Sequence, residues 1–171
     1  MNAFTRSSQA ALTGRILIVD DVEDNRLILE RQLKRSGFET VMCEDGVAAL
    51  AEISATPPDL VLLDWMMPKL SGLDTLKAIR EHSDANKLPV IMCTARDEES
   101  SIGLAMDAGA NDYVQKPIRM PVLLARISAQ LIRKAAVDAL DAVNLDLENT
   151  LAQRTKAFFE RQREQPEQRS S

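Results

Sequence analysis

Five short apolar runs, each followed by a stretch with helical spacing, constrain the fold of this 171-residue chain more than any other feature. The runs occupy residues 16–19, 40–43, 60–63, 90–93 and 113–114. Helical stretches follow at 25–36, 47–54, 73–81, 98–108 and from 121 onward. The runs are too short for helices and rich in aliphatic and β-branched residues, which is typical of buried strands. Strands that are apolar on both faces and joined by helices predict a doubly wound α/β fold with a parallel sheet.

The composition changes after residue 133, where no further strand pattern occurs and residues 134–164 contain no Gly or Pro. We therefore predict that the fifth helix continues to residue 164, which gives it a length of roughly 65 Å. The predicted organisation is a disordered leader, a globular domain, a helical extension with coiled-coil character and a disordered tail. Their boundaries are 1–13, 14–133, 134–164 and 165–171.

The extended helix carries an apolar stripe with near-heptad spacing, interrupted by Asn144 and Arg154. The stripe consists of Leu140, Val143, Leu147, Leu151 and Phe158. Such a stripe needs a partner that covers it, so we predict a homodimer formed through this helix. A stripe that folds back on its own domain, or a frayed linker, remains an alternative.

Composition and charge exclude several functional classes. The net charge is −5, and residues 134–171 hold six basic and seven acidic side chains, which argues against nucleic-acid binding. No apolar run approaches the roughly 18 residues of a membrane span, and no secretory signal is recognisable, so we expect a cytoplasmic protein without membrane contact. The lone His82 excludes sites that need two imidazoles from one chain. Cys43 and Cys93 are predicted to be buried free thiols. The methionines Met66, Met67, Met92 and Met106 are predicted to fill the core.

Polar residues follow the predicted strands at the point where each one ends. Asp20 and Asp21 come directly after the first strand, and Asp64 follows the third. Thr94 ends the fourth strand, and Lys116 follows the fifth. In open parallel sheets the carboxyl ends of the strands form the ligand-binding edge. A strand order of 2-1-3-4-5 would bring the three carboxylates together.

Three carboxylates in one crevice repel one another, and a hard divalent cation is the natural compensation. Mg²⁺ suits this site because it prefers oxygen ligands and leaves coordination positions for phosphate oxygens. Lys116 would add a compact positive charge and Thr94 a hydroxyl donor. Together these groups predict phosphoryl chemistry.

In this order and spacing, the motifs resemble those of the receiver domain of two-component response regulators. The resemblance covers residues 14 to 133, and its motifs are Asp20-Asp21, Asp64 with Met67-Pro68 and Gly72, Thr94-Ala95, and Lys116-Pro117. It implies a flavodoxin-like, five-stranded parallel sheet of order 2-1-3-4-5. It also implies a partner, either a histidine kinase or a phosphotransfer protein.

The resemblance implies a role for each carboxylate. Asp64 would be the phosphoacceptor, and Mg²⁺ would be held by Asp21, Asp64 and the backbone carbonyl of Met66. Asp20 would act mainly through a coordinated water. No conventional enzymatic activity is implied beyond self-phosphorylation and autodephosphorylation.

The same resemblance implies that Thr94 and Lys116 contact the phosphoryl oxygens and that the Lys116-Pro117 bond is cis. Tyr113 would be an aromatic switch that rotates inward as the Thr94 hydroxyl moves toward the phosphoryl group. The signal would then leave through dimerisation or rearrangement of the C-terminal helix.

Several alternatives for the output remain open. Residues 145–156 resemble signalling helices that join receivers to cyclase or phosphodiesterase domains, so the chain is either the receiver part of a larger regulator or complete. A Mg²⁺-dependent aspartyl-phosphate phosphohydrolase is a second class, but such enzymes usually carry an Asp where this chain has Met66. A third class is a phosphorylation-independent coiled-coil assembly module.

Overall fold

The computed structural model describes residues 13–95 and 99–163 and contains one five-stranded parallel sheet. The strands are β1 (Arg15–Val19), β2 (Glu39–Cys43), β3 (Leu60–Asp64), β4 (Val90–Thr94) and β5 (Asp112–Gln115). Their order is β2-β1-β3-β4-β5, and every neighbouring pair is parallel. The predicted fold and strand order are confirmed.

Five helices alternate with the strands. They are α1 (Glu23–Arg35), α2 (Gly46–Ala55), α3 (Gly72–His82), α4 (Glu99–Asp107) and α5 (Met120–Arg163). Asp45 caps α2 by accepting a hydrogen bond from the Ala48 N–H, and Ser71 caps α3 by accepting one from the Asp74 N–H. These side chains satisfy N–H groups that the first helical turn leaves without partners.

The core consists of two apolar clusters, one on each face of the sheet. Ile16 and Ile18 belong to the cluster that contains residues of α1 and α5, whereas Leu17 and Val19 belong to the one that contains residues of α2 and α3. Alternate residues of a strand point to opposite faces, so a run that is apolar throughout must be covered on both. The sequence of β1 therefore requires helices on both sides of the sheet.

The predicted burial differs from the structure at two kinds of position. The outer strand β2 has exposed Glu39 and Met42, because it has a neighbouring strand on one side only. Of the four methionines predicted to fill the core, Met92 is buried and Met67 packs against a core cluster. For Met66 and Met106 the prediction is wrong, because they are 65% and 45% exposed. Met66 lies in the loop after β3 and Met106 near the end of α4, so neither is enclosed by the sheet.

The chain divides into two compact units, Met1–Lys134 and Ala135–Ser171. Apart from Thr13, the predicted leader lies outside the described residues, as does the predicted tail. Cys43 and Cys93 are buried free thiols, as predicted, and His82 is exposed. Across 13–95 and 99–163, the structure forms no helix with the length and apolarity that a bilayer span requires.

Candidate functional site

The register of the two central strands brings the predicted carboxylates together. Val19 of β1 pairs with Leu63 of β3, so Asp20 and Asp64, which follow them, lie side by side at the carboxyl edge of the sheet. One carboxylate oxygen each from Asp20, Asp21 and Asp64 lie within 4.8 Å of one another. Asp20 and Asp64 are buried, whereas Asp21 is exposed at the rim.

Asp20 is held by groups from the start of α1. Its Oδ1 accepts a hydrogen bond from the Val22 N–H at 2.9 Å, and the Asn25 amide lies 3.3 and 3.2 Å from its two oxygens. The Arg26 guanidinium donates to the Asp20 carbonyl oxygen at 2.6 Å. Sequence reasoning missed Asn25 and Arg26, because their only signal was a place in the first turn of the helix that follows the acidic pair.

Lys116 joins two of the carboxylates from the opposite side of the crevice. Its Nζ lies 2.9 Å from Asp20 Oδ2 and 2.8 Å from Asp64 Oδ1. Its backbone N–H donates to the Thr94 carbonyl oxygen at 2.7 Å, and the Lys116-Pro117 peptide bond is cis. One ammonium group thus bridges the ends of β1 and β3 from the loop after β5.

Burial and the neighbouring opposite charge have opposing effects on the pKa values of Asp64 and Lys116. Burial raises the pKa of Asp64, and although Lys116 lowers it, the nearby Asp20 and Asp21 raise it again, so the pKa stays above its usual value. Burial acts to lower the pKa of Lys116, but its hydrogen bonds to Asp64 and Asp20 outweigh this, and the pKa is raised. The lysine is therefore charged at neutral pH, in a site that disfavours further negative charge.

Thr94 and Tyr113 lie on β4 and β5, on the side of the sheet beyond Asp64. Thr94 is buried directly after Cys93, the register partner of Asp64, and burial raises the pKa of Cys93 to about 12. Cys93 is therefore a neutral thiol and takes no part in charge chemistry. Tyr113 is half-buried, and the Arg126 guanidinium lies 5.5 Å from its ring centroid. The switch role of Thr94 and Tyr113 stays a prediction.

Gly72 fixes the loop that follows Asp64. Its N–H donates to the Trp65 carbonyl oxygen at 2.9 Å, and the Trp65 N–H donates to the Cys93 carbonyl oxygen at the same distance. A Cβ on Gly72 would lie 2.1 Å from the Asp64 carbonyl oxygen. The close backbone approach therefore requires a residue without a side chain.

We expect Gly72→Ala to lower the free energy of unfolding by about 1–3 kcal/mol, because β3 or the start of α3 must shift to admit the methyl group. The matched control is Gly103→Ala in α4, where an added Cβ meets nothing within 4 Å. That change should stabilise the protein by about 0.4–1 kcal/mol. Urea unfolding of both variants measures the difference, and equal effects would contradict the role assigned to Gly72.

The donor set suits a hard cation and a phosphoryl group. All three clustered side chains offer oxygen atoms, which Mg²⁺ prefers. Lys116 and Thr94 add a cation and a hydroxyl group at the same edge of the sheet. Asp20, Asp21, Asp64, Thr94 and Lys116 lie at this edge of the sheet. Tyr113 pairs with Met92 and lies two residues before the edge.

Comparisons with known proteins agree with this geometry. A family model described as the response regulator receiver domain matches residues 16–128. Response regulator MprA of Mycobacterium tuberculosis is 41% identical over 132 residues, and MprA of Mycobacterium leprae is 42% identical over 129 residues. The matches cover 77% and 75% of this chain and 56% of each relative, so the chain spans about half their length.

Solved structures show the same fold. NtrX from Brucella abortus in complex with ATP is 28% identical with a TM-score of 0.70, over 76% of this chain and 29% of that one. The receiver domain of the Francisella response regulator 1452 is 28% identical with a TM-score of 0.65, over 70% of this chain and 98% of that one.

Proposed function

Because the chain belongs to the response regulator receiver domain family, we propose that Asp64 accepts a phosphoryl group in a Mg²⁺-dependent reaction. The donor is a histidine kinase or a phosphotransfer protein. The observation that supports this most is the cluster of three carboxylates within 4.8 Å of one another, two of them bridged by Lys116. The output is dimerisation or rearrangement of the C-terminal helix.

The transfer moves the phosphoryl group from a histidine nitrogen to Asp64. A carboxylate oxygen of Asp64 attacks the phosphorus, the P–N bond breaks, and the imidazole leaves with that electron pair. The product is an acyl phosphate that carries a charge of about −1.5 to −2 and three acceptor oxygens. Lys116, 2.8 Å from Asp64, is placed to hold one of these oxygens.

Asp20, Asp21 and Asp64 fit a Mg²⁺ ion because they converge with oxygen donors only. The direct ligands that we propose are Asp21, Asp64 and the Met66 backbone carbonyl, with Asp20 acting mainly through a coordinated water. When bound, the ion neutralises the negative charge that the carboxylates and the phosphoryl group bring together. Asn25 and the Val22 N–H hold the Asp20 carboxylate in place from the side of α1.

We expect Asp21→Asn to weaken Mg²⁺ binding by about tenfold or more, because the site loses one negative ligand. The matched control is Asp24→Asn, which changes an exposed carboxylate in the first turn of α1, outside the cluster. Calorimetry, or the fluorescence of Trp65 directly after Asp64, reports binding. Equal affinities in the two variants would contradict the assignment of Asp21 as a ligand.

The change in charge at Asp64 reaches the surface through β4 and β5. Thr94 moves toward the phosphoryl oxygens, and the Tyr113 ring, half-buried in the second strand beyond Asp64, moves into the space that this opens. The charge added at Asp64 thereby favours one of two arrangements of Thr94 and Tyr113 over the other. α5 follows β5 in the chain and carries the change into the extension.

The regions we propose are a receiver domain at 14–133 and a helical extension at 134–164, in a cytoplasmic protein. Because the chain spans about half of its curated relatives, it works as the receiver part of a larger regulator or through a partner that the extension binds. The acidic balance of the extension supports a protein partner rather than nucleic acid.

A further inference from the structure

We propose that residues 135–163 pair with the same segment of a second copy of this chain in an antiparallel coiled coil. The basic end of each helix, residues 154–163, lies against residues 135–144 of its partner, which carry only acidic charges. The inference rests on the homodimer of the proposed function and adds its orientation and register.

The apolar stripe on this helix is exposed. Leu140, Leu147, Leu151 and Phe158 are 54–63% exposed, far more than the core positions of α5 such as Leu123. Large apolar side chains repeated along one helix face favour a partner that covers them.

A strict heptad phase describes the seam. Its a positions are Val137, Asn144, Leu151 and Phe158, and its d positions are Leu140, Leu147, Arg154 and Arg161. The polar members are Asn144, Arg154 and Arg161. They decide whether a parallel or an antiparallel pair is favourable, because the apolar members pack in both orientations.

Charge is segregated along the segment. Residues 135–153 contain four acidic side chains and no basic one, whereas residues 154–163 contain four basic side chains and one acidic. The dipole of the helix favours Arg161 and Arg163 in its last turn. It does not explain the acidic block, which lies well inside α5, because the effect of the dipole is confined to the terminal turns. Two parallel helices would place like charges side by side, and two antiparallel helices would place opposite charges together.

One antiparallel register fills every layer of the seam without a like-charge layer. It pairs Val137 with the partner's Arg161, Leu140 with the partner's Phe158, Asn144 with the partner's Arg154, and Leu147 with the partner's Leu151. A parallel pair would instead stack Arg154 on the partner's Arg154 and Arg161 on the partner's Arg161. Each such layer places two buried guanidinium groups together, which is costly.

The same register places Arg154 near opposite charge. Asp141 and Glu148 of the partner fall within about 4.5 to 6 Å of it along the helix axis. The arrangement contains one unfavourable contact, because Glu148 lies close to the partner's Glu148 near the centre of the pair and the two carboxylates repel each other. Residues 154–163 lie alongside residues 135–144 of the partner, which contain Asp138 and Asp141, and these contacts between opposite charges outweigh the single contact between like charges.

Disulfide formation between two variants tests the orientation. Leu140→Cys is mixed with a tagged Phe158→Cys variant and oxidised mildly, and then free thiols are alkylated before denaturation. The antiparallel register gives disulfides only between the two different variants. Cys43 and Cys93 are buried, so they do not compete in the folded protein. The matched control mixes Leu140→Cys with Asn149→Cys, whose side chain lies on the far side of the helix and should give no product.

The salt dependence of the unmodified dimer gives a second readout. Opposite charges in contact predict that the dissociation constant rises by about tenfold between about 0.05 M and 0.5 M salt, whereas stacked like charges predict a fall. Disulfides only within each variant, a dimer that gives no disulfide, a chain that is a monomer both with and without acetyl phosphate, or a dissociation constant that falls with salt would each overturn the proposal. Labelling of the same preparations by acetyl phosphate tests the phosphoacceptor separately, so failure of the pairing is distinguishable from failure of the receiver function.

Discussion

Replacing Asp64 with asparagine should abolish the incorporation of phosphate from acetyl phosphate in the presence of Mg²⁺. The amide oxygen is too weak a nucleophile to form the acyl phosphate, and the change also removes one charge from the cation site. Asp64 lies in the cluster within 4.8 Å of Asp20 and Asp21 and is buried at the end of β3. Intact-mass spectrometry should detect a phosphorylated species in the parent protein and none in the variant.

The variant is expected to fold. The raised pKa of Asp64 shows that the native site disfavours its charge, so a neutral amide of nearly the same shape removes that penalty. Lys116 keeps its ion pair with Asp20. Urea unfolding of the variant should therefore show a free energy of unfolding close to that of the parent.

The matched control is Asp107→Asn, which changes an exposed carboxylate at the end of α4, away from the cluster. It should be labelled at the rate of the parent. Equal labelling of Asp64→Asn and the parent would contradict the assignment of the phosphoacceptor.

The sheet and the acidic cluster could be predicted because both depend on short-range rules. Apolar runs and the turns between them define the strands, and parallel strands bring their carboxyl ends to one edge. Asp20, Asp64 and Lys116 each directly follow a strand, so the strand order alone predicts that they meet. The structure has that order, with Lys116 in contact with both carboxylates.

What sequence reasoning missed depends on long-range geometry. Asn25 contacts Asp20 only because α1 begins at Glu23 and turns its third residue toward that carboxylate. Arg80 is a clearer case, since its guanidinium donates to the carbonyl oxygens of Gly109 and Leu88 and to the Asn111 side chain. Burial lowers the pKa of Arg80. Nothing near Arg80 in the sequence indicates these partners.

The exposed Met66 has a similar origin. A methionine directly after a buried strand was predicted to fill the core, but the chain turns out of the sheet after Asp64 and leaves the side chain 65% exposed. Hydrophobicity alone therefore does not predict burial in a loop that forms the rim of a site.

Ending the chain at Lys134 should convert the proposed dimer to a monomer without lowering the stability of the globular domain. Both core clusters consist of residues between Ile16 and Leu131, so the deletion removes none of them. Lys134 is kept because its Nζ lies 3.7 Å from Asp59 Oδ1. The removed part carries the exposed stripe, including Leu147 and Leu151. Light scattering should therefore give the mass of one shortened chain, with an unchanged free energy of unfolding for the globular domain.

Two substitutions in the full chain distinguish the effect of disrupting the apolar stripe from the effect of removing the whole segment. Leu147→Lys in the full chain places a charge in the seam and should also give a monomer, whereas Asn149→Lys adds the same charge on the opposite side of the helix and should leave the dimer intact.

Repeating the measurement with Mg²⁺ and beryllofluoride, a mimic of the phosphoryl group, distinguishes two modes of output. A dimer only with the mimic means that phosphorylation controls pairing, and a dimer in both states means that the signal passes through an existing pair. A dimer that survives deletion of residues 135–171 would place the interface on the globular domain and contradict the role of the helix.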